Sequence, residues 1–164
     1  WPELMRVGIG LGSNQGVSTD ELAAARGWLR SLDPGARFSG VYETEPIDCP
    51  EGSPKFLNQT CEIRWNRSLM ALLNLLQAYE MSRGRKTVRG RNQPRVLDLD
   101  LLYAGENKIQ NQRLQLPHPR MGERRFVMEP LAEVCPERRV PGLPGTVRET
   151  AGWLRKGGVC RRIG

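Results

Sequence analysis

The apolar positions of the chain repeat with two different periods, and these periods predict where its first strand and first helix lie. Apolar residues alternate with glycines toward the end of residues 4–11, which predicts a strand that ends in a glycine-containing turn. Apolar residues then recur every three or four positions, which predicts a helix. A capping box of Ser18 and Glu21 begins this helix, and the Asp-Pro-Gly segment 33–35 ends it.

The middle of the chain continues with two strands, a helix and another strand. Residues 38–42 and 56–65 have the composition of a second and a third strand. A helix with apolar residues at spacings of three and four follows the cap residue Ser68 and ends near Gly84. Residues 96–103 then predict a fourth strand.

Two segments between these elements have no apolar period and are predicted to be loops. Residues 44–54 contain three prolines and form a loop of the length that functional loops have. Residues 85–94 are basic, and we expect this loop to be mobile because nothing apolar attaches it to a core. Toward the end of the chain we expect a short helix over 123–135 and a last helix opened by a Thr146/Glu149 capping box.

The order of these elements is strand, helix, strand, strand, helix, strand, then helices. This order predicts an α+β fold, a ferredoxin-like sandwich with a mainly antiparallel sheet and flanking helices. A chain of 164 residues is the size of one domain, so we expect a single domain over residues 1–164.

The charge of the chain points to an anionic partner. Lys and Arg number 25 against 18 Asp and Glu, and six of the basic residues fall within 83–95. Asp98 and Asp100 follow directly, which indicates a polyanion held together with a metal. Four widely spaced cysteines and a single histidine do not form a zinc motif or a disulfide framework. No apolar run reaches the length of a membrane span, so we expect a cytoplasmic protein that does not bind a membrane.

The two aspartates alternate with leucines, so both carboxylates should point to one face of a strand. Their separation along the strand would be roughly 6 to 7 Å, which allows them to bracket Mg²⁺. A solvated acidic face would produce the same alternation. The adjacent cationic run favours the first interpretation, because cations and paired carboxylates together are the components of nucleotide phosphoryl transfer.

The common nucleotide-binding motifs are incomplete in this chain. Residues 84–87 resemble the end of a Walker loop, but the earlier glycine is absent. The glycines in 8–12 do not complete a GxGxxG fingerprint, because Ser13 follows them. These two absences exclude a P-loop kinase and a Rossmann enzyme.

An ordered set of short motifs resembles the 6-hydroxymethyl-7,8-dihydropterin pyrophosphokinase family. The resemblance extends over about residues 5–136, and its most specific parts are 94–102 and Leu116-Pro117-His118. The remaining matches are residues 12–14, 42–46, 56–58, Gln77 with Glu80, Arg85, and 124–126.

The resemblance implies an enzyme of folate biosynthesis, an ATP-dependent diphosphotransferase that moves pyrophosphate from ATP to the pterin hydroxymethyl group and releases AMP. Asp98 and Asp100 would bind two Mg²⁺ ions, and Arg85 and Arg95 would act beside them in catalysis. The nucleotide side would comprise Gln77, Glu80, Leu101, Arg113, His118 and Arg124. The pterin side would comprise Thr44, Ile47, Phe56, Asn58 and Phe126.

Several of these residues also have a purely structural interpretation. Phe56 and Phe126 could be core aromatics, Glu80 could form a salt contact with the basic run, and Arg85 and Arg95 could be solvated. Some positions depart from the usual family pattern, and these departures bear on turnover and loop closure more than on reaction type. They are Glu45, Thr87, Asn92, Gln93, Gln115 and Pro119.

Two other functions remain open from the sequence. One is a family relative that binds ATP or pterin without efficient turnover. The other is a nucleic-acid-binding module that uses the basic run, although the predicted sheet lacks the interleaved aromatic residues that stack on bases. For the enzyme we expect a monomer with ATP and a pterin as small-molecule partners, no nucleic acid, and association with other folate enzymes as a further option.

Overall fold

The computed structural model describes residues 4–13, 18–44, 56–84, 96–154 and 160–164. The described residues form eight strands: β1 Met5–Ser13, β2 Arg37–Phe38, β3 Tyr42–Thr44, β4 Phe56–Trp65, β5 Asp98–Ala104, β6 Ile109–Gln110, β7 Gln115–Leu116 and β8 Cys160–Arg162. The helices are α1 Ser18–Leu32, α2 Leu69–Ser82, α3 Arg125–Val134 and α4 Val147–Trp153, with a 3₁₀ turn at Met121–Glu123.

The main sheet has the strand order β5-β1-β4-β3-β8, and β2 also pairs with β4. Every pairing described in this sheet is antiparallel. The chain order β1, α1, β2 with β3, β4, α2, β5 reproduces the ferredoxin-like arrangement. The α+β sandwich predicted from the sequence is therefore confirmed.

Each face of the sheet packs against its own pair of helices, because successive side chains of a strand point to opposite faces. One face packs on α1 and α2 through a core that includes Val7, Ile9, Leu11, Leu22, Leu29, Leu72, Leu76, Leu99 and Leu101. The other face packs on α3 and α4 through a second core that includes Leu102, Tyr103, Met128, Leu131, Val134 and Val147. A register shift between Gly8 and Ile9 lets the adjacent residues Leu102 and Tyr103 both join the second core.

The predicted continuous strand over 38–42 is wrong, because the structure divides it into β2 and β3. Phe38 pairs with Cys61, whereas Tyr42 pairs with Asn58. The segment 38–42 therefore has one residue more than the part of β4 that it faces. Ser39 accounts for the interruption, because its hydroxyl accepts a hydrogen bond from the Thr60 N–H (3.0 Å). Its backbone carbonyl accepts a second bond from the Gln59 side chain (2.6 Å).

The last third of the chain differs from its prediction in two ways. The helix expected over 123–135 is a 3₁₀ turn followed by α3, because Arg124 has extended backbone angles (φ −105°, ψ 110°) between them. The short strands β6, β7 and β8 were not predicted, since two or three residues are too few to display a period of two. The last helix was predicted correctly, with both capping-box hydrogen bonds between Thr146 and Glu149 present.

A buried polar cluster ties the sheet to the segment after α3. The Glu62 carboxylate accepts hydrogen bonds from the Arg138 guanidinium (2.7 and 3.1 Å) and from the Tyr103 hydroxyl. Tyr103 also lies 3.3 Å from the Cys135 sulfur. Its ring covers Gly8, where an added Cβ would lie 2.2 Å from a ring carbon. The cluster therefore requires glycine at position 8 of β1, because any side chain there would clash with the Tyr103 ring.

We predict that Arg138→Met lowers the free energy of unfolding by about 2 to 3 kcal/mol, because it removes the guanidinium that pairs with the buried Glu62 carboxylate. Arg148→Met is the matched control, since Arg148 pairs with Glu137 at the surface. That change should cost less than about 1 kcal/mol. Urea unfolding of both variants measures the difference, and equal losses would contradict the assignment of the cluster as a stabilising element.

Candidate active site

The register of β1 with its two neighbours lines up four residues across the sheet. Gly12 pairs with Asp98 of β5 on one side and with Asn58 of β4 on the other, and Asn58 pairs in turn with Tyr42. Paired residues of antiparallel strands direct their side chains to the same face, so Asp98 and Asn58 share a face. Gly12 leaves the space between them open: a Cβ there would lie 3.4 Å from Asn58 Oδ1 and 4.0 Å from Asp98 Cβ.

Three of the five residues predicted for the pterin side lie together beside this row. Thr44 pairs with Phe56 across β3 and β4. The Asn58 amide donates a hydrogen bond to the Thr44 hydroxyl (2.8 Å), and this bond orients the amide. Asn58 and Thr44 are buried, and Phe56 is partly exposed. Ile47 lies outside the described residues. The arrangement can bind the edge of a flat ring by hydrogen bonds next to an aromatic side chain.

Asp98 and Asp100 lie on the opposite face of β5 from the leucines that alternate with them. Leu97, Leu99 and Leu101 are buried in the core against α1 and α2, whereas Asp100 is exposed and Asp98 partly so. In the parts of the chain that the structure describes, no three or more His, Cys, Asp or Glu side chains cluster as metal ligands. Two carboxylates suit Mg²⁺, which usually takes its other oxygen ligands from substrate phosphates and water.

Cationic and aromatic side chains gather on the Asp100 side of this face. The main-chain N–H of His118 donates a hydrogen bond to the Leu102 carbonyl (2.7 Å), which fixes His118 next to β5. Arg124 is half-buried, lies 5.5 Å from the centroid of the Phe126 ring and interacts electrostatically with Asp100. Burial, with added repulsion from Arg124 and Arg120, lowers the pKa of His118. His118 is therefore neutral at pH 7, and its Nδ1 accepts a hydrogen bond from the Arg120 N–H (3.2 Å).

The other residues predicted for the nucleotide side lie toward α2. Arg113 donates hydrogen bonds to Asn74 (2.6 Å) and Gln77 (3.2 Å) at the exposed side of that helix. The Leu101 side chain lies in the core, so a contact between Leu101 and a ligand on the aspartate face would use its main chain. Glu80 is buried, and its carboxylate accepts a hydrogen bond from the Leu99 N–H (2.9 Å).

The sequence interpretation missed one residue that bears directly on β5. Ser13 is buried, and its hydroxyl donates a hydrogen bond to the Val96 carbonyl, two residues before Asp98. The only signal was its position after a strand in the segment 12–14. Arg85, Arg95 and the predicted mobile loop 85–94 lie outside the described residues, as do the departures at Glu45, Thr87, Asn92 and Gln93.

Comparisons with known proteins identify the family of the chain. The family model for 7,8-dihydro-6-hydroxymethylpterin-pyrophosphokinase (HPPK) matches residues 8–136. The chain belongs to this family. It is 37% identical over 142 residues to the 2-amino-4-hydroxy-6-hydroxymethyldihydropteridine pyrophosphokinase of Pseudomonas aeruginosa, covering 84% of this chain and 85% of that one. To the Bacillus subtilis enzyme of the same name it is 36% identical over 155 residues, covering 92% of each.

Solved structures of larger HPPK-DHPS proteins share the fold. A Plasmodium falciparum HPPK-DHPS crystallised with pterin superposes with a TM-score of 0.62 at 14% identity, covering 93% of this chain and 44% of that one. A second HPPK-DHPS, in complex with substrates, gives a TM-score of 0.66 at 12% identity, covering 92% and 43%. This chain therefore spans less than half of those proteins. Among the described helices of this HPPK chain, none is long and apolar enough to cross a membrane.

We predict that His118 titrates below its ordinary pKa of 6.5, because burial and two neighbouring guanidinium groups disfavour its charged form. It is the single histidine of the chain, so its ring resonance in a proton NMR titration needs no assignment by mutation. Arg124→Gln removes one of the positive charges and should raise the pKa of His118. The exposed Arg139→Gln is the control and should leave it unchanged. A wild-type value at or above 6.5 would contradict the packing described.

Proposed function

We propose that this chain transfers the pyrophosphoryl group of ATP to 6-hydroxymethyl-7,8-dihydropterin and releases AMP, a step of folate biosynthesis. The observation that supports this function most strongly is the row across the sheet, in which Asp98 lies beside Gly12 and Asn58. A ring bound at Asn58 would then present its substituent toward the aspartates. Family membership and the pyrophosphokinase names of relatives in two bacteria support the same reaction.

On the pterin side, this chain supplies orientation. The Asn58 amide, oriented by the Thr44 hydroxyl, would pair with the polar edge of the pterin. Phe56 on β4 and Phe126 at the start of α3 offer aromatic surface for its faces. Gly12 leaves room for a planar ring to approach the sheet.

On the nucleotide side, this chain supplies charge around the phosphates. Asp98 and Asp100 would bind two Mg²⁺ ions, whose chemistry is to neutralise the phosphate oxygens of ATP. Arg124 interacts electrostatically with Asp100 and could contact the phosphates directly, because a guanidinium donates several hydrogen bonds in a fixed plane. Neutral His118 can donate a hydrogen bond from Nε2, since its Nδ1 already accepts one. We also assign Gln77, Leu101, Arg113, Arg85 and Arg95 to this side of the site.

The reaction requires little covalent chemistry from the protein. The hydroxymethyl oxygen attacks the β-phosphorus of ATP, the bond from that phosphorus to the α-phosphate oxygen breaks, and the hydroxyl proton is released. Catalysis then consists of holding the attacking oxygen in line and stabilising the charge of the leaving AMP. Asp98, proposed as a metal ligand, lies in the same row as Asn58, proposed for pterin binding, and this is where such an alignment is needed.

We propose that residues 1–164 form one pyrophosphokinase domain that acts as a cytoplasmic monomer. Pairing of β8 with β3 and burial of Val147 in the second core support one domain, because both lie beyond the matched residues 8–136. Association with other folate-pathway enzymes is a further proposal. An Arabidopsis thaliana relative is named a folate synthesis bifunctional protein, and this chain covers 26% of it.

We predict that ATP, Mg²⁺ and 6-hydroxymethyl-7,8-dihydropterin together yield AMP, and that omission of the pterin abolishes AMP formation. Chromatography of the nucleotides measures the products. ADP in place of AMP would indicate an ordinary kinase. Nucleotide binding without any product would indicate a relative that has lost turnover, and either result would overturn the proposed function.

We predict that Asp98→Ala and Asp100→Ala each lower the rate of AMP formation more than about a hundredfold, which corresponds to about 3 kcal/mol of lost transition-state stabilisation. The melting temperature should change little, because the leucines of β5 remain packed. Glu106→Ala is the control, since it removes the same charge from the turn after the same strand and should keep activity. Near-normal activity of both aspartate variants would show that the metal assignment is wrong.

A further inference from the structure

The outer edge of β5 is held by side-chain and loop contacts. β5 ends the described strand order, and β1 pairs with only one of its edges. Near the end of β5 the Leu102 carbonyl accepts a hydrogen bond from the His118 N–H (2.7 Å). At Leu99, between the two aspartates, the N–H donates to a carboxylate oxygen of Glu80 (2.9 Å).

Glu80 lies in an unusual place for a carboxylate. It is 3% exposed, in the last turn of α2, and the other buried residues of that helix are Leu72, Leu73 and Leu76. A carboxylate costs free energy in such a setting unless a donor compensates it, and the Leu99 N–H is such a donor. A leucine would pack there without this cost, so packing alone does not account for Glu80.

The position of Glu80 separates it from the face that would bind ligands. The helix α2 packs on the face of the sheet that contains the Leu99 and Leu101 side chains, and Asp98 and Asp100 point to the other face. With its carboxylate on the main chain and 3% of its surface exposed, Glu80 offers almost no surface to a nucleotide.

We propose that Glu80 is a positioning residue: it fixes the β5 main chain at Leu99 so that the carboxylates of Asp98 and Asp100 keep the spacing that binds a divalent cation. This inference rests on the proposed function, and it replaces the direct nucleotide contact that the family resemblance implies for Glu80. The buried Ser13 hydroxyl, which donates a hydrogen bond to the Val96 carbonyl, holds the segment just before β5, on the other side of Asp98. The main chain is thus fixed both before and after the first aspartate.

Such a contact has a measurable consequence because metal ligands tolerate little displacement. Mutation of residues that hold metal ligands in place by hydrogen bonds typically changes metal affinity or activity 10- to 100-fold. Glu80 lies on a helix packed into the core, so it is a rigid anchor for β5, which pairs on one side only among the described residues. Its loss would let the segment between the aspartates shift while the rest of the sheet stays paired.

The test compares Glu80→Gln, which keeps an oxygen acceptor at the same reach, with Glu80→Leu, which fills the site without one. Manganese binding is followed by EPR in the presence of a non-hydrolysable ATP analogue. We expect Glu80→Leu to weaken Mn²⁺ binding about 10- to 100-fold and Glu80→Gln to restore it to within about fivefold of wild type. Affinity for the analogue without metal should be the same in all three proteins. A loss of metal-free analogue affinity in both variants would show a direct nucleotide contact and overturn the proposal.

Leu76→Ala is the matched control, because it lies one turn earlier on α2 and is equally buried. It should lower the melting temperature and leave Mn²⁺ affinity unchanged, which separates lost packing from lost positioning. Amide exchange at Leu99 in the ligand-free protein should be slow in wild type and Glu80→Gln and fast in Glu80→Leu.

The two readouts also separate this inference from the proposed function. If wild type forms no AMP but Mn²⁺ affinity and Leu99 exchange follow the expected order, the reaction assigned is wrong and the positioning role stands. If Glu80→Leu binds Mn²⁺ as tightly as wild type, the positioning role is overturned whatever the assay shows. A wild-type protein that binds no Mn²⁺ would overturn both.

Discussion

The candidate site depends on the pairing of β1 along both of its edges at one register. β1 is the strand between β5 and β4, and through it Asp98 and Asn58 come to lie in one row. A slip of one residue in either pairing would turn a whole strand over, because successive side chains point to opposite faces. Asp98 or Asn58 would then point into the leucine core. The packing of α1 and α2 therefore fixes the position of the polar residues on the opposite face.

Two glycines of β1 leave space on the face of the sheet opposite α1 and α2. Gly8 accommodates the Tyr103 ring, which belongs to the buried cluster of Glu62 and Arg138. Gly12 leaves open space between Asn58 and Asp98. The face of β1 is thus packed at Gly8, where the Tyr103 ring covers the glycine. It is open at Gly12, where no neighbouring side chain lies closer than 3.4 Å to the position of an added Cβ.

An acidic pair and a group of basic side chains lie next to each other at the candidate site. Asp98 and Asp100 form one acidic pair, and Arg120 and Arg124 lie on the Asp100 side together with His118. Burial, together with these two guanidinium groups, lowers the pKa of His118, so the histidine adds a hydrogen-bond donor there and no further positive charge. An acidic pair next to guanidinium groups suits a ligand that brings both anionic oxygens and metal ions, and a metal-bound triphosphate is such a ligand.

Strand β8, which lies beyond the family match, supports the strand that contains Thr44, a residue proposed for pterin binding. β8 pairs with β3, the strand that contains Thr44, so β3 has a partner on each edge. The Tyr42 hydroxyl donates a hydrogen bond to Glu133 of α3, and Arg162 of β8 lies 3.6 Å from the same carboxylate. A short strand is thereby tied to the sheet and to a helix, which limits its movement beside Asn58.

The sequence by itself determined the strongly periodic elements, the fold class and the aspartate pair, because period and local alternation are properties of neighbouring residues. It also supplied the family, through motifs such as 94–102 and 116–118. Only the tertiary structure decided that Ser39 interrupts a strand, that two-residue strands form, and that Glu80 bonds to Leu99 nineteen positions away. These features depend on hydrogen bonds between distant segments, and no pattern within a short window of sequence encodes such a partner.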